Sequence, residues 1–243
     1  MNLNTWKGKT FRFLTAQTIS LFGSSLVQYA IVWYITLTTS SGKMLTISTL
    51  CGFLPQIIIS LFAGVWIDRY DRKRLIMLSD GVIACSTLIL ALAFLSGHKN
   101  IWFLFAVLII RSAGTGIQTP AVNAIFPQLV PKEHLMRMNG INSTLSSFMM
   151  FLSPAAGGAV LSAAPLEAAL FIDVITAMIG ISITFTIKIP PYAKSSAVEE
   201  SSLQKITGGI SYIKNHAFIR RLMLFQIIIL FLISPSAFLT PLM

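Results

Sequence analysis

Three charged side chains lie inside long apolar stretches of the sequence, where charge is rare. Arg111 lies in the fourth stretch, Asp80 in the third and Asp173 in the sixth. An arginine at the middle of a bilayer costs about 2.5–3.5 kcal/mol on insertion scales, so it normally faces a polar cavity or an acidic partner. Either aspartate can supply that partner, and the sequence does not choose between them. Ionisable groups inside a membrane are functional candidates by default; the alternative is a buried ion pair that only fixes helix packing.

A second candidate is the loop between the second and third apolar stretches. Gly64 and Asp68 lie one helical turn apart, so they share a face on which Gly64 permits the close approach of another helix. Asp68 can pair with a neighbouring arginine, and Asp71 can cap the next helix. The loop also carries the basic residues Arg69, Arg72 and Lys73. If the loop only set the orientation of the protein in the membrane, this would explain its basic residues. It would not explain a glycine and an aspartate at this spacing.

The fifth stretch contains a third candidate, a proline followed by two glycines. Pro154 removes one backbone hydrogen bond from a helix. Gly157 and Gly158 allow the helix to bend and a neighbouring helix to approach. A plain kinked span is the alternative interpretation of the same residues.

The elements that position these residues follow from the composition. The chain has 243 residues, of which 55% are hydrophobic and only 11% are charged. Soluble domains carry about 25% charged residues, so lipid is the expected solvent. We predict seven membrane-spanning helices, because spans must satisfy their own backbone and the apolar stretches do not alternate as barrel strands do. They cover residues 14–37, 45–67, 75–96, 101–125, 140–163, 166–187 and 221–242.

The distribution of Lys and Arg predicts the orientation. With the N-terminus in the cytoplasm, 15 of the 18 Lys and Arg residues fall in cytoplasmic segments. Lys43 and Lys99 fall outside, and Arg111 lies within a span. This bias is the positive-inside pattern, and it explains the net charge of +10 without nucleic acid. The first stretch is too long for a cleaved signal peptide and is retained as a span.

Residues 188–220 form the longest polar segment and are predicted to be a cytoplasmic linker. They separate a six-span bundle, residues 1–187, from a seventh span, residues 221–243. Within the linker, residues 203–212 are predicted to form a short amphipathic helix on the membrane surface. Pro235 and Pro241 interrupt the last stretch. We therefore expect the chain to be a fragment or a natural truncation, ending one helix into a second bundle.

The loop of the second candidate resembles the signature of the major facilitator superfamily, Gly-x-x-x-Asp-Arg/Lys-x-Gly-Arg/Lys-Arg/Lys. Asp71 stands in place of the second glycine, as it does in the macrolide-efflux branch of that family. The resemblance implies that the loop latches the cytoplasmic side of the outward-facing state, together with a second bundle. The matching residues are Gly64, Asp68, Arg69, Arg72 and Lys73.

The other candidates carry the same resemblance. An arginine in the fourth span followed by glycine, as at Arg111, resembles a family motif associated with proton coupling. Pro154, Gly157 and Gly158 resemble the Gly-Pro-x-x-Gly-Gly motif of exporters that work as antiporters, with Ser153 in place of its first glycine. Residues 119–125 are similar to the macrolide-efflux branch.

The resemblance implies an all-α membrane protein: a six-helix N-terminal bundle, built from two inverted three-helix repeats, plus one further span. We predict a secondary active transporter in the inner (cytoplasmic) membrane that exports a drug or another small amphipathic molecule in exchange for protons. Its expected partners are the bilayer, the substrate, protons and a C-terminal bundle, with no cofactor. A fragment without transport activity and an exporter of siderophores or other metabolites remain the alternatives.

Two further classes fit the sequence less well. A membrane enzyme needs convergent catalytic or metal-binding groups, whereas the eight acidic residues are scattered. No metal site is predicted, because His98, His134 and His216 all lie in loops. A seven-span receptor usually has an external N-terminus, opposite to the orientation predicted here.

Overall fold

The computed structural model describes residues 5–189 and 215–239, and it describes side chains in the last helix as far as residue 229. Within these residues the backbone is helical between short turns and contains no strand, so the predicted all-α class is confirmed. A short 3-10 turn, Lys132–His134, precedes the fifth helix. The helices are α1 (Trp6–Thr39), α2 (Gly42–Arg69), α3 (Arg72–Leu95), α4 (Ile101–Leu129), α5 (Leu135–Ala163), α6 (Leu166–Thr186) and α7 (Ala217–Leu239).

Polar side chains mark where several helices begin. The Asp71 carboxylate accepts a hydrogen bond from the backbone N–H of Arg74 at 2.9 Å, which confirms the predicted cap of α3. Asn100 caps α4 in the same way, accepting from the backbone N–H of Trp102 at 3.0 Å. Each cap satisfies a backbone donor that has no partner within its own helix.

Six of the described helices, α1 to α6, are long and apolar enough to cross a membrane. This confirms a multi-pass membrane protein. α7 begins four residues before the stretch predicted at 221–242, and its role as a seventh span remains a prediction. Residues 190–214, which include the predicted amphipathic helix at 203–212, lie outside the described residues. The chain divides into one unit at Met1–Lys194 and another at Ser195–Met243, and α1 to α6 belong to the first.

Several helix ends differ from the predicted boundaries. α1 begins at Trp6, well before residue 14, and α4 continues to Leu129, through both Pro120 and Pro127. The connection predicted at 126–139 therefore shrinks to residues 130–134, because α5 already begins at Leu135. Hydropathy marks the part of a helix that lies in lipid, whereas the helices continue with polar residues beyond it.

The packing of the six helices shows an internal repeat. α1 packs against α5 and α6, α4 packs against α2 and α3, and α3 packs against α6. If α1, α2 and α3 are exchanged with α4, α5 and α6, respectively, each of these contacts becomes another contact of the same set. Each repeat has an odd number of spans, so the two repeats cross the membrane in opposite directions. This is the inverted three-helix repeat expected of a transporter bundle.

The core of the bundle consists of two apolar clusters separated by a polar layer. One cluster includes Leu26 of α1, Leu90 of α3 and Leu108 of α4. The other includes Phe13 of α1 and Phe126 of α4. Between the clusters, the same helices and α6 bury polar side chains, namely Ser20, Asp80, Thr87, Arg111, Ser112 and Asp173. These side chains are buried, which strengthens their electrostatic interactions with one another.

Candidate functional site

Arg111 is the centre of the polar layer. Its side chain is 2% exposed, and Nη1 forms an ion pair with Asp173 of α6 and donates to the hydroxyl of Thr87 on α3. Nη2 donates to the backbone carbonyl of Ser24 on α1 at 2.8 Å and to its hydroxyl at 3.0 Å. Arg111, itself on α4, therefore ties together four helices.

The ion pair resolves the choice that the sequence left open, because Asp173 is the partner of Arg111. Thr87 also donates to Asp173 Oδ2 at 3.0 Å, so one carboxylate oxygen receives both a charged and a neutral donor. Asp173 Oδ1 and Arg111 Nε are buried without a hydrogen-bond partner in the described part of the chain. The pair compensates both charges, while leaving hydrogen-bonding capacity unused.

Asp80 has a different environment. Its carboxylate is 3% exposed and accepts hydrogen bonds from the Ser20 hydroxyl at 3.1 Å and from the Gln118 amide at 2.5 Å. Within the described residues, no Lys, Arg or His nitrogen lies within ion-pair distance of it. Asp80 is thus a buried carboxyl group with neutral donors only.

A cavity of about 550 Å³ lies beside this layer, between α1, α2, α4 and α5. Its lining combines amides, Ser and Thr hydroxyls and a few apolar side chains, and it contains no Asp, Glu, Lys or Arg. Gln118 belongs to the lining, so the residue that donates to Asp80 also faces the cavity. The amides are Gln17, Gln56, Gln118, Asn123 and Asn142.

Two basic residues at the start of α3 bind backbone carbonyls of other helices. Arg72 donates to the backbone carbonyl of Ala124 on α4 at 2.6 Å. Lys73 donates to the carbonyls of Phe185 at 2.8 Å and Ile187 at 2.9 Å, at the C-terminus of α6. A cation at a helix C-terminus complements the exposed carbonyls and the helix dipole. The start of α3 is thereby fixed to α4 and α6.

Gly64, Asp68 and Arg69 lie on an exposed face of α2. No helix among the described residues approaches Gly64, since a Cβ added there would meet nothing within 4 Å, so the close approach expected at this position remains a prediction. The reason is the rotation of α2, which buries Ala63 and Ile67 and turns Gly64 outward.

The glycines that follow Pro154 do lie against another helix. A Cβ added at Gly157 would stand 3.2 Å from the backbone oxygen of Leu26, and one added at Gly158 would stand 3.1 Å from the Trp33 ring. α5 therefore approaches α1 closely at this pair. The helix is continuous through Pro154, from Leu135 to Ala163.

The described residues contain no cluster of three His, Cys, Asp or Glu side chains that could hold a metal ion. Their buried polar groups converge instead on the ion pair, on Asp80 and on the adjoining cavity. A sequence model of the Major Facilitator Superfamily matches residues 13–243. The chain belongs to this superfamily.

The similar members of the superfamily include efflux proteins. Macrolide efflux protein A of Streptococcus pyogenes is 31% identical over 240 residues, which are 98% of this chain and 59% of that protein. Macrolide efflux protein A of Enterococcus faecalis is 30% identical over 203 residues, 83% of this chain and 62% of that protein. The multi-drug resistance efflux pump PmrA homolog of Lactococcus lactis is 28% identical over 150 residues, 60% of this chain and 36% of that protein. The chain thus spans about 59% of the length of the first relative.

Sequence reasoning missed several polar residues that this superfamily member uses to build the site. Thr87, Ser20 and Ser24 are short hydroxyls, which are too common in helices to be singled out. Gln118 could have been predicted from the sequence, because it lies seven residues after Arg111 and therefore two turns along the same helix face.

Proposed function

We propose that the protein is a proton-coupled exporter of the major facilitator type, and that its six-helix bundle forms one side of the substrate cavity. The observation that carries this proposal is the arrangement around Arg111. A buried ion pair, a separate carboxyl group with no cationic partner among the described residues and a polar cavity adjoin one another in the middle of the bundle. Intramembrane ionisable groups of this kind mark transport pathways and proton relays.

Asp80 is the proposed proton-carrying group. Asp173 has Arg111 as its counter-charge, so protonating it would leave a buried guanidinium without compensation. Among the described residues, Asp80 has the Ser20 hydroxyl and the Gln118 amide as donors and no cationic partner, so a proton can bind there without leaving an opposite charge unpaired. Uptake of a proton by Asp80 from the outer side, followed by its release inside, would change one buried charge in each transport cycle.

Arg111 is proposed to hold the helices of this bundle together during that cycle. It contacts one helix of the first repeat through Ser24 and another through Thr87, and it contacts α6 of the second repeat through Asp173. Transporters of this type alternate by rocking rigid bundles around a fixed site. A residue that fixes four helices keeps this bundle rigid while it rocks.

The α2–α3 loop is the proposed gating element. Arg72 and Lys73, which follow the loop, hold the start of α3 against α4 and α6, whereas Gly64, Asp68 and Arg69 lie on an exposed face of α2. In this proposal, that face meets a second bundle on the cytoplasmic side in the outward-facing state. Pro154, Gly157 and Gly158 are proposed to let α5 bend and adjust against α1 as the cavity opens.

The proposed cargo is a drug or another small amphipathic molecule. The macrolide and multidrug relatives support it, as does a cavity that combines amides and hydroxyls with apolar side chains. The proposed location is the cytoplasmic membrane with the N-terminus inside, which rests on the distribution of 15 of the 18 basic residues.

Drug susceptibility tests the export proposal. Cells that express the complete gene encoding this chain are expected to tolerate more erythromycin than cells with an empty vector. An uncoupler of the proton gradient is expected to remove the difference. Unchanged tolerance across a panel of macrolides and other amphipathic drugs would contradict drug export.

The Arg111→Ala variant tests the proposed role of Arg111 in transport. Export is expected to fall to the empty-vector level, while the amount of protein in the membrane, measured by immunoblot, remains close to normal. Arg137→Ala is the matched control, because Arg137 is an exposed arginine near the start of α5. Export by Arg111→Ala at the level of the control would refute the proposed role.

A further inference from the structure

A groove between the start of α1 and the end of α6 plays no part in the function proposed above. Its volume is about 470 Å³, within the range of about 300–1,000 Å³ that is typical of small-molecule sites. It shares no lining residue with the cavity beside the polar layer. The lining of this α1–α6 groove consists of Phe11, Arg12 and Thr15 of α1 and Ser182, Ile183 and Thr186 of α6.

Arg12 supplies a positive charge to the groove. Its side chain is half-buried, and Nη2 donates to the hydroxyl of Thr186 at 2.5 Å. The lining contains no Asp or Glu, and Arg12 takes part in no ion pair with the described residues. A guanidinium has five N–H donors, so the bond to Thr186 leaves others for a ligand. The charge of Arg12 therefore favours an anionic ligand.

Further basic residues surround this end of the two helices. Lys9 precedes Arg12 by three residues, so it lies one turn away on the same side of α1. Lys73 donates to two backbone carbonyls at the C-terminus of α6, and Lys188 is exposed just beyond that terminus. An anion beside Arg12 is thus stabilised by more than one positive charge.

The groove also has an apolar part, at a depth that suits a lipid. Arg12 lies two residues before the first predicted apolar stretch, and Thr186 is the last residue of α6, so both lie where headgroups meet the hydrocarbon core. Ile183 lies one turn further into α6, and Phe11 is 61% exposed beside Arg12. The groove therefore fits a ligand whose anionic group is joined to a hydrocarbon chain.

We propose that the α1–α6 groove binds one anionic phospholipid, from the cytoplasmic leaflet in the predicted orientation. The lipid phosphate accepts hydrogen bonds from Arg12, and an acyl chain lies along Phe11 and Ile183. Basic pockets between membrane helices bind anionic headgroups in this way. A zwitterionic lipid carries its own cation, which the basic residues repel, and a free phosphate lacks the chain. The site does not depend on the proposed export.

Native mass spectrometry of the purified full chain tests this proposal. The chain is delipidated in a neutral detergent and titrated with phosphatidylglycerol or with phosphatidylcholine of the same acyl chains. The first phosphatidylglycerol is expected to bind at least about fivefold more tightly than the first phosphatidylcholine, the effect of about one basic side chain on an anionic headgroup. Glycerol 3-phosphate, which has the charged group but no chain, is expected to leave the bound lipid in place.

The Arg12→Gln variant removes the charge from the groove. It is expected to weaken binding of the first phosphatidylglycerol about fivefold and to leave phosphatidylcholine binding unchanged. Arg137→Gln is the matched control, because it removes the same charge from an exposed position near the start of α5, outside the groove. Its affinity for phosphatidylglycerol is expected to equal that of the wild type.

A second variant tests the groove while keeping every charge. Ser182 is an exposed lining residue, so Ser182→Phe fills the groove from its α6 side and is expected to weaken phosphatidylglycerol binding. Ile175→Phe is its control, because Ile175 is 56% exposed and lies two turns away on the same face of α6, outside the lining.

Three results would overturn the proposal. The first is equal affinity of the wild type for the two lipids, or no lipid binding at all. The second is displacement of phosphatidylglycerol by glycerol 3-phosphate, which would indicate a site for a soluble anion. The third is that Arg12→Gln and Ser182→Phe each bind phosphatidylglycerol as tightly as their controls.

Discussion

At the scale of single residues, the two buried aspartates differ in the interactions that their substitution would remove. Replacing Asp173 leaves Arg111 as a buried charge without its counter-ion. Replacing Asp80 with asparagine keeps an oxygen that can accept from Ser20 and Gln118. The same substitution therefore removes an ion-pair partner at one position and only a charge at the other.

Asp173→Asn is expected to lower the free energy of unfolding by about 3–5 kcal/mol, the usual effect of breaking a buried ion pair. Asp80→Asn is expected to change it by less than about 1 kcal/mol, because its neutral hydrogen bonds persist. Thermal unfolding of the purified variants in one detergent measures both. Equal destabilisation by the two substitutions would contradict the assignment of Asp173 as the partner of Arg111.

The sequence predicted part of this site and left part of it undecided. It identified Arg111, Asp80 and Asp173, because each is a charge within an apolar stretch. It could not choose the partner, since that depends on how α3 and α6 are rotated against α4, and hydropathy carries no information about rotation. The outward turn of Gly64 was missed for the same reason: Gly64 and the buried Ala63 are adjacent in sequence but lie on different faces of α2.

At the scale of whole elements, the first six of the seven predicted spans correspond to α1 to α6, because each span needs about 20 apolar residues in lipid. What the pattern could not supply was how closely the helices approach one another. α2 and α4 are in backbone contact at Gly116, where an added Cβ would stand 2.8 Å from the backbone oxygen of Gln56. Only a glycine permits that approach without displacement of the helices.

Gly116→Ala is expected to destabilise the bundle by about 1–3 kcal/mol, as overpacking does, because the obstructing atom belongs to a backbone that cannot rotate away. Gly81→Ala is the matched control. An added Cβ at Gly81 meets nothing within 4 Å, and alanine favours a helix interior by about 0.5–1 kcal/mol over glycine. Thermal unfolding of the two variants should therefore shift in opposite directions, and a shift in the same direction would contradict the α2–α4 contact.

At the scale of the whole molecule, the repeat and the charge distribution bear on the direction across the membrane. The main contacts of α1–α3 with α4–α6 are unchanged when the two sets of helices are exchanged, so these contacts do not distinguish the two sides. The loops are predicted to distinguish them, because 15 of the 18 basic residues fall on the cytoplasmic side of the predicted seven-span topology. The direction of the proposed proton movement depends on that asymmetry.

Labelling of single cysteines on intact cells tests the direction. After Cys51 and Cys85 are replaced by serine, one cysteine is introduced at His98, in the α3–α4 loop, or at Glu133, in the α4–α5 turn; both positions are exposed. An impermeant thiol reagent is expected to label His98→Cys directly and Glu133→Cys only after permeabilisation, because the positive-inside bias places the α4–α5 turn in the cytoplasm. The reverse labelling pattern would show that the orientation is inverted. Asp80 would then take its proton from the opposite side.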